Sequence, residues 1–159
     1  MSIHTAAVSW ALKPDEDFAR GRYSRAHRLA FDGGVTVIGS ASPSVVPLPW
    51  SDPAGVDPEE MFVAALSSCH MLTFLDLARR ADFHITAYAD TAEGVMTKND
   101  HGAMWISTVT LRPAITYEGP SPDAAAETAL HEAAHHACFI ANSVRTAVRV
   151  EPATSLNPA

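Results

Sequence analysis

Apolar and polar residues alternate near the start of the chain, with the period of two that is typical of half-buried β-strands. Ile3 to Leu12 alternates loosely and predicts a first strand, and Tyr23 to Phe31 alternates more clearly and predicts a second. Asp32-Gly33-Gly34 is a strong hairpin signal. We therefore expect Val35 to Ser40 to pair back on the second strand, so that residues 1–42 form an N-terminal β-meander.

A long helix is predicted over residues 57–81. Asp57 can cap its first turn, Pro58 suits the first helical position, and Glu60 completes a capping box with Asp57. Apolar side chains then cover nearly the whole circumference of the helix. A helix that is apolar all round is expected to be a central, buried helix.

The second half of the chain combines further strands with one more helix. Residues 83–118 are predicted to form a β-hairpin around the turn Lys98 to Gly102, residues 121–143 a second helix, and residues 144–151 a final strand. The order ββ(β)–α–ββ–α–β predicts an α+β fold with antiparallel sheets and two long helices. We expect a single domain over residues 1–159.

The charge balance excludes two classes of partner. The net charge is −7, from 18 acidic and 11 basic residues, and no cluster of Lys and Arg stands out. Nucleic acid and an anionic membrane surface are therefore not expected partners. Met1 to Leu12 lacks the pattern of a signal peptide, and Met61 to Ala78 carries several polar residues, which disfavours a membrane span. The expected location is the cytoplasm.

The candidate chemistry begins with the two cysteines of the chain, Cys69 and Cys138, one in each predicted helix. In a reducing compartment such a pair could be unrelated core residues, metal ligands or a redox pair. The neighbours of Cys69 at helical spacing carry no charge, and an apolar site makes a thiol inert. If Cys69 is a nucleophile, another segment must therefore supply a cation.

Arg25 is the best candidate for that cation. The period of two places it on the same strand face as Tyr23 and Leu29, and an arginine on a core-facing surface needs an anionic partner. The alternative is an edge-strand arginine that extends to water. Glu59 lies ten residues before Cys69, or about 15 Å along a regular helix. It could therefore join a Cys69 site only across a dimer interface or through an irregular first turn, and otherwise it simply stabilises the helix dipole.

The second helix also carries a pattern found in zinc hydrolases. His131, Glu132 and His135 match HExxH, in which two histidines bind zinc and the glutamate is the general base. Cys138 could be a third ligand, although three ligands on one straight helix would span about 10 Å, which zinc cannot easily gather. In a milder interpretation, His135 polarises the Cys138 thiol or is merely packed beside it.

The run from Asp57 to Cys69, followed by a strand pair and a helix that contains Cys138-Phe139-Ile140-Ala141, resembles the OsmC/Ohr family of osmotically inducible and organic hydroperoxide resistance proteins. The resemblance extends from Tyr23 to about Pro152. It implies an intertwined homodimer with its active sites at the interface. It also implies that Cys69 is the peroxidatic cysteine and Cys138 the resolving cysteine, with Arg25 and Glu59 as the site arginine and glutamate.

The resemblance leads to a specific functional hypothesis. The chain is expected to reduce organic hydroperoxides, and inorganic peroxide as well, without a cofactor or a bound metal. An external dithiol, for which a lipoyl group is one candidate, would reduce the Cys69–Cys138 pair again. Two alternatives stay open: a zinc-dependent hydrolase built on His131, Glu132 and His135, and a non-catalytic protein that binds small molecules on the same fold.

Overall fold

The structure is a computed structural model that describes residues 1–153. Its two helices and largely antiparallel sheets confirm the predicted α+β class. The chain divides into two compact units, one from Met1 to Met61 and one that begins at Phe62, and each is described by itself. The long first helix begins in one unit and continues into the other.

The first unit holds one antiparallel sheet of three strands in the order β1-β2-β3. The strands are β1 (Ala6–Ser9), β2 (His27–Phe31) and β3 (Thr36–Gly39). Gly34 takes a φ of 84° in the turn between β2 and β3, a conformation that favours glycine, so the predicted hairpin is present. The first two strands are shorter than the alternation suggested. Trp10 has left the sheet, and its indole Nε1 donates a hydrogen bond to the Ser24 carbonyl at 2.7 Å.

The first helix, α1, runs over Pro58–Arg80. Its capping box is formed in both directions: Asp57 N–H donates to Glu60 Oε2 at 2.9 Å, and Glu60 N–H donates to Asp57 Oδ1 at 2.7 Å. The expectation that α1 is buried all round is wrong for this chain. Only one stripe at a spacing of four residues is fully buried, while Leu72 on another face is 62% exposed. The buried stripe consists of Leu66, His70, Phe74 and Ala78.

The second unit carries five strands and the second helix. Their bounds are β4 (His84–Asp90), β5 (Glu93–Lys98), β6 (Met104–Leu111), β7 (Pro113–Glu118), α2 (Ala124–Ala137) and β8 (Ala147–Val150). The predicted hairpin around the turn Lys98 to Gly102 is present as β5 and β6, but it does not extend over all of residues 83–118, since β4 pairs with β7 in a separate sheet. β8 joins β6 in parallel, which makes the β5-β6-β8 sheet mixed.

Helix α2 is shorter at both ends than the predicted residues 121–143. Asp123 is its N-cap, and the Asp123 side chain accepts a hydrogen bond from Ala126 N–H at 2.8 Å. The helix ends at Ala137, and Cys138 is the C-cap with extended backbone angles. The Asn142 side-chain amide donates to the carbonyl of His136 at 2.8 Å, so a side chain satisfies a group that continued helix would have bonded. Cys138 therefore lies at the end of a helix and not inside one.

Two apolar clusters support α1 within the second unit. The N-terminal half of α1 packs through Leu66 on Val109 and Leu111 of β6. The C-terminal half packs through Phe74 and Ala78 on Ala134 of α2. Cys69 lies between these halves. By length and composition alone α1 could cross a membrane, but the core helix of a soluble protein has the same properties.

One glycine allows the close approach of α1 to β5. A Cβ atom added at Gly94 would lie 2.7 Å from Cγ2 of Val63 and 3.4 Å from Cγ2 of Ile106. Carbon atoms pack at about 3.5–4.0 Å, so a side chain here would push β5 away from the helix. Gly94 therefore fixes the distance between α1 and the mixed sheet.

Candidate active site

Cys69 lies in the middle of α1 and is half-buried. The Thr73 hydroxyl, one turn later, donates a hydrogen bond to the Cys69 carbonyl at 2.8 Å. That bond holds the helix backbone and does not involve the thiol. The residues at helical spacing from Cys69 carry no charge, so the thiol has no charged partner on its own helix. Because Cys138 is buried, Cys69 is the more exposed of the two cysteines.

Cys138 lies in the turn after α2, and only 1% of its surface is exposed. Its sulfur accepts a hydrogen bond from Ala141 N–H at 3.4 Å. Burial raises the pKa of the Cys138 thiol, the neighbouring Cys69 raises it further, and the Ala141 N–H acts in the opposite direction. His135 contributes its backbone carbonyl, which accepts from Cys138 N–H at 3.3 Å. Its imidazole is not among the groups that shift this pKa, so the hypothesis that His135 polarises the thiol gains no support.

The two cysteines meet although 68 residues separate them in the sequence. Cys69 is a close enough neighbour of Cys138 to be one of the groups that raise the pKa of its thiol. Both thiols are free, with no disulfide between them. The packing of α1 against the end of α2 therefore brings a half-buried thiol and a buried thiol together.

Arg25 lies just before β2 and not within it, so the predicted strand face does not include it. Its guanidinium stacks on the Tyr23 ring with Cζ 3.7 Å from the ring centroid, and Nη1 donates to the Gly21 carbonyl at 3.0 Å. Tyr23 thus takes part in holding Arg25 beside the strand. Within residues 1–61 no carboxylate pairs with this guanidinium, and Glu59, half-buried in the first turn of α1, makes no ion pair there.

A family model described as OsmC-like protein matches residues 51–153. The chain belongs to the OsmC-like protein family. This confirms the family to which the sequence pointed, and the match includes Glu59, Cys69 and Cys138.

Solved structures agree with this assignment. An OsmC-like protein of unknown function from Vibrio cholerae is 48% identical, has a TM-score of 0.93, and the match covers 96% of this chain and 100% of that one. An organic hydroperoxide resistance protein from Elizabethkingia anophelis has a TM-score of 0.70 at 18% identity, over 99% of this chain and 98% of that one. An organic hydroperoxide resistance protein from Bacillus subtilis has a TM-score of 0.67 at 18% identity, and the match covers 96% of this chain and 98% of that one. A comparison with curated proteins found no match.

The OsmC-like chain also contains a buried histidine pair that sequence reasoning missed. Nε2 of His70 on α1 lies 3.0 Å from Nδ1 of His131 on α2, and the two residues are 1% and 4% exposed. Burial lowers the pKa of each imidazole from 6.5 to about 4, so both are neutral at pH 7. A signal was present in the sequence: His70 directly follows Cys69, and His131 opens the HExxH pattern.

The zinc hypothesis gains no support from this geometry. Across residues 1–153, no group of three or more His, Cys, Asp or Glu side chains is placed to hold a metal ion. Nδ1 of His131 bonds to His70, and Glu132 is exposed. His131, Glu132, His135 and His136 instead contribute to the wall of a cavity of about 280 Å³ between α2 and β8.

Proposed function

We propose that this OsmC-like protein is a thiol peroxidase that reduces organic hydroperoxides, and inorganic peroxide as well, through Cys69 and Cys138. The observation that carries the proposal is that the two free thiols are neighbours, since Cys69 is one of the groups that raise the pKa of Cys138. Neighbouring thiols can form a disulfide once their sulfurs reach bonding distance. The substrate class follows the hydroperoxide resistance proteins with which the chain shares its fold. A redox pair of free cysteines suits a reducing, cytoplasmic compartment.

The different burial of the two cysteines supports distinct roles for them. Cys69 is half-buried, whereas Cys138 is 1% exposed, so Cys69 is the cysteine we expect a small peroxide to reach first. The raised pKa of Cys138 keeps it a thiol, and only a thiolate attacks peroxide readily. Cys69 is therefore assigned as the peroxidatic cysteine and Cys138 as the resolving cysteine.

The proposed reaction has three steps. The Cys69 thiolate attacks the distal oxygen of the hydroperoxide, the O–O bond breaks, and the alkoxide takes a proton and leaves as an alcohol. Cys138 then attacks the sulfur of the Cys69 sulfenic acid. The S–S bond forms, the S–O bond breaks, and the oxygen leaves as water with the proton of Cys138. An external dithiol, for which a lipoyl group is one candidate, reduces the disulfide by exchange.

We further propose that Arg25 stabilises the Cys69 thiolate and that Glu59 orients the guanidinium. Among the described residues, only Nη1 of Arg25 is bonded to backbone carbonyls, so Nε and Nη2 are available donors for an anion. Glu59 lies about 15 Å before Cys69 on α1, so it would reach a Cys69 site from a second subunit. The proposed working unit is accordingly an intertwined homodimer, which light scattering would detect as twice the chain mass of 17.0 kDa.

The assay measures consumption of cumene hydroperoxide and of hydrogen peroxide in the presence of a dithiol. Wild type is expected to consume both, and Cys69→Ser should lose about 100-fold or more of the rate. Ser68→Ala is the matched control because Ser68 is the exposed neighbour of Cys69 on the same helix, and it should retain the wild-type rate. Equal, slow consumption by wild type and Cys69→Ser would overturn the peroxidase proposal.

The role of Arg25 has its own experiment. Alkylation of Cys69 by iodoacetamide at pH 7 reports the amount of thiolate. Arg25→Ala should slow the alkylation about tenfold, whereas Arg28→Ala should not, because Arg28 is exposed on β2. Glu59→Gln should slow it less than Arg25→Ala. If Arg25→Ala and Arg28→Ala react at the same rate, Arg25 is not the activating cation.

A further inference from the structure

The hydrogen bond between His70 and His131 joins the same two helices that carry the cysteines. His70 is the next residue after Cys69 on α1, and His131 lies seven residues, or about 10 Å of helix, before Cys138 on α2. α1 therefore meets α2 and its C-cap at two places, where the two thiols are neighbours and where the two imidazoles are hydrogen-bonded. Two separate contacts restrict sliding and rotation of one helix against the other, which a single contact does not.

Stability alone does not account for the histidine pair. Among residues 1–153 neither Nδ1 of His70 nor Nε2 of His131 has a hydrogen-bond partner, and both atoms are buried. An unsatisfied buried polar atom costs about 1–3 kcal/mol, whereas one neutral hydrogen bond contributes only about 1 kcal/mol. Apolar side chains would fill this site at lower cost. A hydrogen bond, however, has a defined length and direction, and apolar contacts do not.

The rings around the pair limit its movement further. The His131 ring stacks on Phe74 of α1, with 4.3 Å between centroids, and Phe74 is fully buried. His131 is thus held by α1 at two points, the Nε2 atom of His70 and the face of Phe74. A shift of α2 along α1 would break the hydrogen bond and lift His131 off that ring. The same shift would move Cys138 away from Cys69.

We propose that His70 and His131 are positioning residues that hold Cys138 within reach of Cys69 for disulfide formation. The inference rests on the proposed function, because it gives the pair a task in the second step of that reaction. The histidines touch neither peroxide nor sulfur in this scheme. They set how often the two sulfurs meet, and misplacement by about 1 Å can cost roughly a hundredfold in an intramolecular reaction.

The test is the equilibrium of the protein with mixtures of reduced and oxidised dithiothreitol, which reports how well the sulfurs meet without any peroxide. His70→Leu and His131→Leu should each shift the equilibrium towards the dithiol by about 10- to 100-fold. His70→Gln keeps a nitrogen close to the position of Nε2 and should recover most of that loss. His136→Leu is the control because His136 is exposed on the same helix as His131, and it should match wild type.

Alkylation of Cys69 by iodoacetamide in the reduced proteins distinguishes a changed position of Cys138 relative to Cys69 from a general disruption of the structure around Cys69. It should be unchanged in the leucine variants, since only the meeting of the sulfurs is altered. If His70→Leu does not fold, as judged by circular dichroism, His70→Gln is compared with His131→Leu. Leucine variants that form the disulfide as readily as wild type would overturn the inference, and so would equal losses in His70→Gln and His131→Leu.

The two proposals can fail separately in these experiments. A wild-type protein that forms the disulfide in dithiothreitol but consumes no peroxide refutes the peroxidase and leaves the positioning role standing. A protein that consumes peroxide, and whose His70→Leu variant keeps the wild-type disulfide equilibrium, refutes the positioning role alone.

Discussion

Acid should destabilise the protein through His70 and His131. The pKa of both imidazoles is lowered from 6.5 to about 4, mainly by burial. His135 contributes to the lowering at His70 and His70 to that at His131, while Asp90 acts to raise the pKa of His70. The unfolded chain binds a proton at each histidine below about pH 6.5, and the folded chain does so only below about pH 4. The unfolded state therefore binds more protons between these values, and the free energy of unfolding falls as the pH falls through this window.

The size of this loss of unfolding free energy follows from the pKa values. A pKa lowered from 6.5 to about 4 corresponds to roughly 3 kcal/mol of unfolding free energy for one histidine. For the two histidines together the upper limit is about 6 kcal/mol. It is an upper limit because part of the His131 shift comes from His70, so the two shifts are not independent. Near pH 5.2 the unfolded chain should bind nearly two more protons, which gives a slope of about 2 kcal/mol per pH unit. Small domains have about 5–15 kcal/mol of stability in total, so this loss is large.

Urea unfolding followed by circular dichroism at pH 7.5, 6.5, 5.8 and 5.0 measures that slope. One protein concentration is used throughout, since the stability of an oligomer depends on concentration. The double variant His70→Leu/His131→Leu should lose most of the slope, whereas His101→Leu, in the exposed turn after β5, should keep it. An unfolding free energy that is flat between pH 6.5 and 5.0 in wild type would refute the reasoning. So would an equal slope in the double variant.

Three further predictions concern single residues. Cys138→Ser should stop the reaction after one turnover, and mass spectrometry should find Cys69 sulfenic acid instead of a disulfide; a disulfide-free catalytic cycle at the wild-type rate would contradict this. Gly94→Ala should destabilise the protein by about 1–3 kcal/mol in the same urea titration, because the added Cβ would overlap Val63. Gly33→Ala is the control: a Cβ at Gly33 has open space around it, so this variant should change stability little. Asp57→Ala should cost about 1 kcal/mol through loss of the cap, and an unchanged melting curve would show that the capping box contributes nothing.

Local signals in the sequence predicted what short-range interactions decide. The Asp57 cap and the turn around Gly34 each depend on residues within four positions of one another, and both are present in the structure. The limits of α1 follow from the same kind of signal. Such features need no knowledge of which distant segments pair, because the hydrogen bonds that define them close within a single turn.

Long-range pairing explains where the structure differs from the elements that the sequence predicted. Alternation identifies β4 and β8 as strands but carries no information on the strand that each one joins. β4 therefore paired with β7 instead of continuing a hairpin, and β8 lies parallel to β6. The end of α2 was missed for a similar reason, since the Asn142 side chain bonds back to the His136 carbonyl from beyond the helix. Arg25 was placed on a strand face, but contacts with the Tyr23 ring hold it outside the strand.

The HExxH pattern shows how far spacing alone can be interpreted. Two histidines four residues apart on a helix predict zinc only if both imidazole nitrogens face a common point, and spacing does not determine that. In this chain His131 turns towards α1, where His70 occupies its Nδ1 atom and Phe74 covers its ring. The partner that decides the role of His131 lies 61 residues away, next to Cys69. The pattern that suggested a metal thus belongs to the contact between the two cysteine-bearing segments, and the dithiothreitol equilibrium of the His131→Leu protein measures its contribution there.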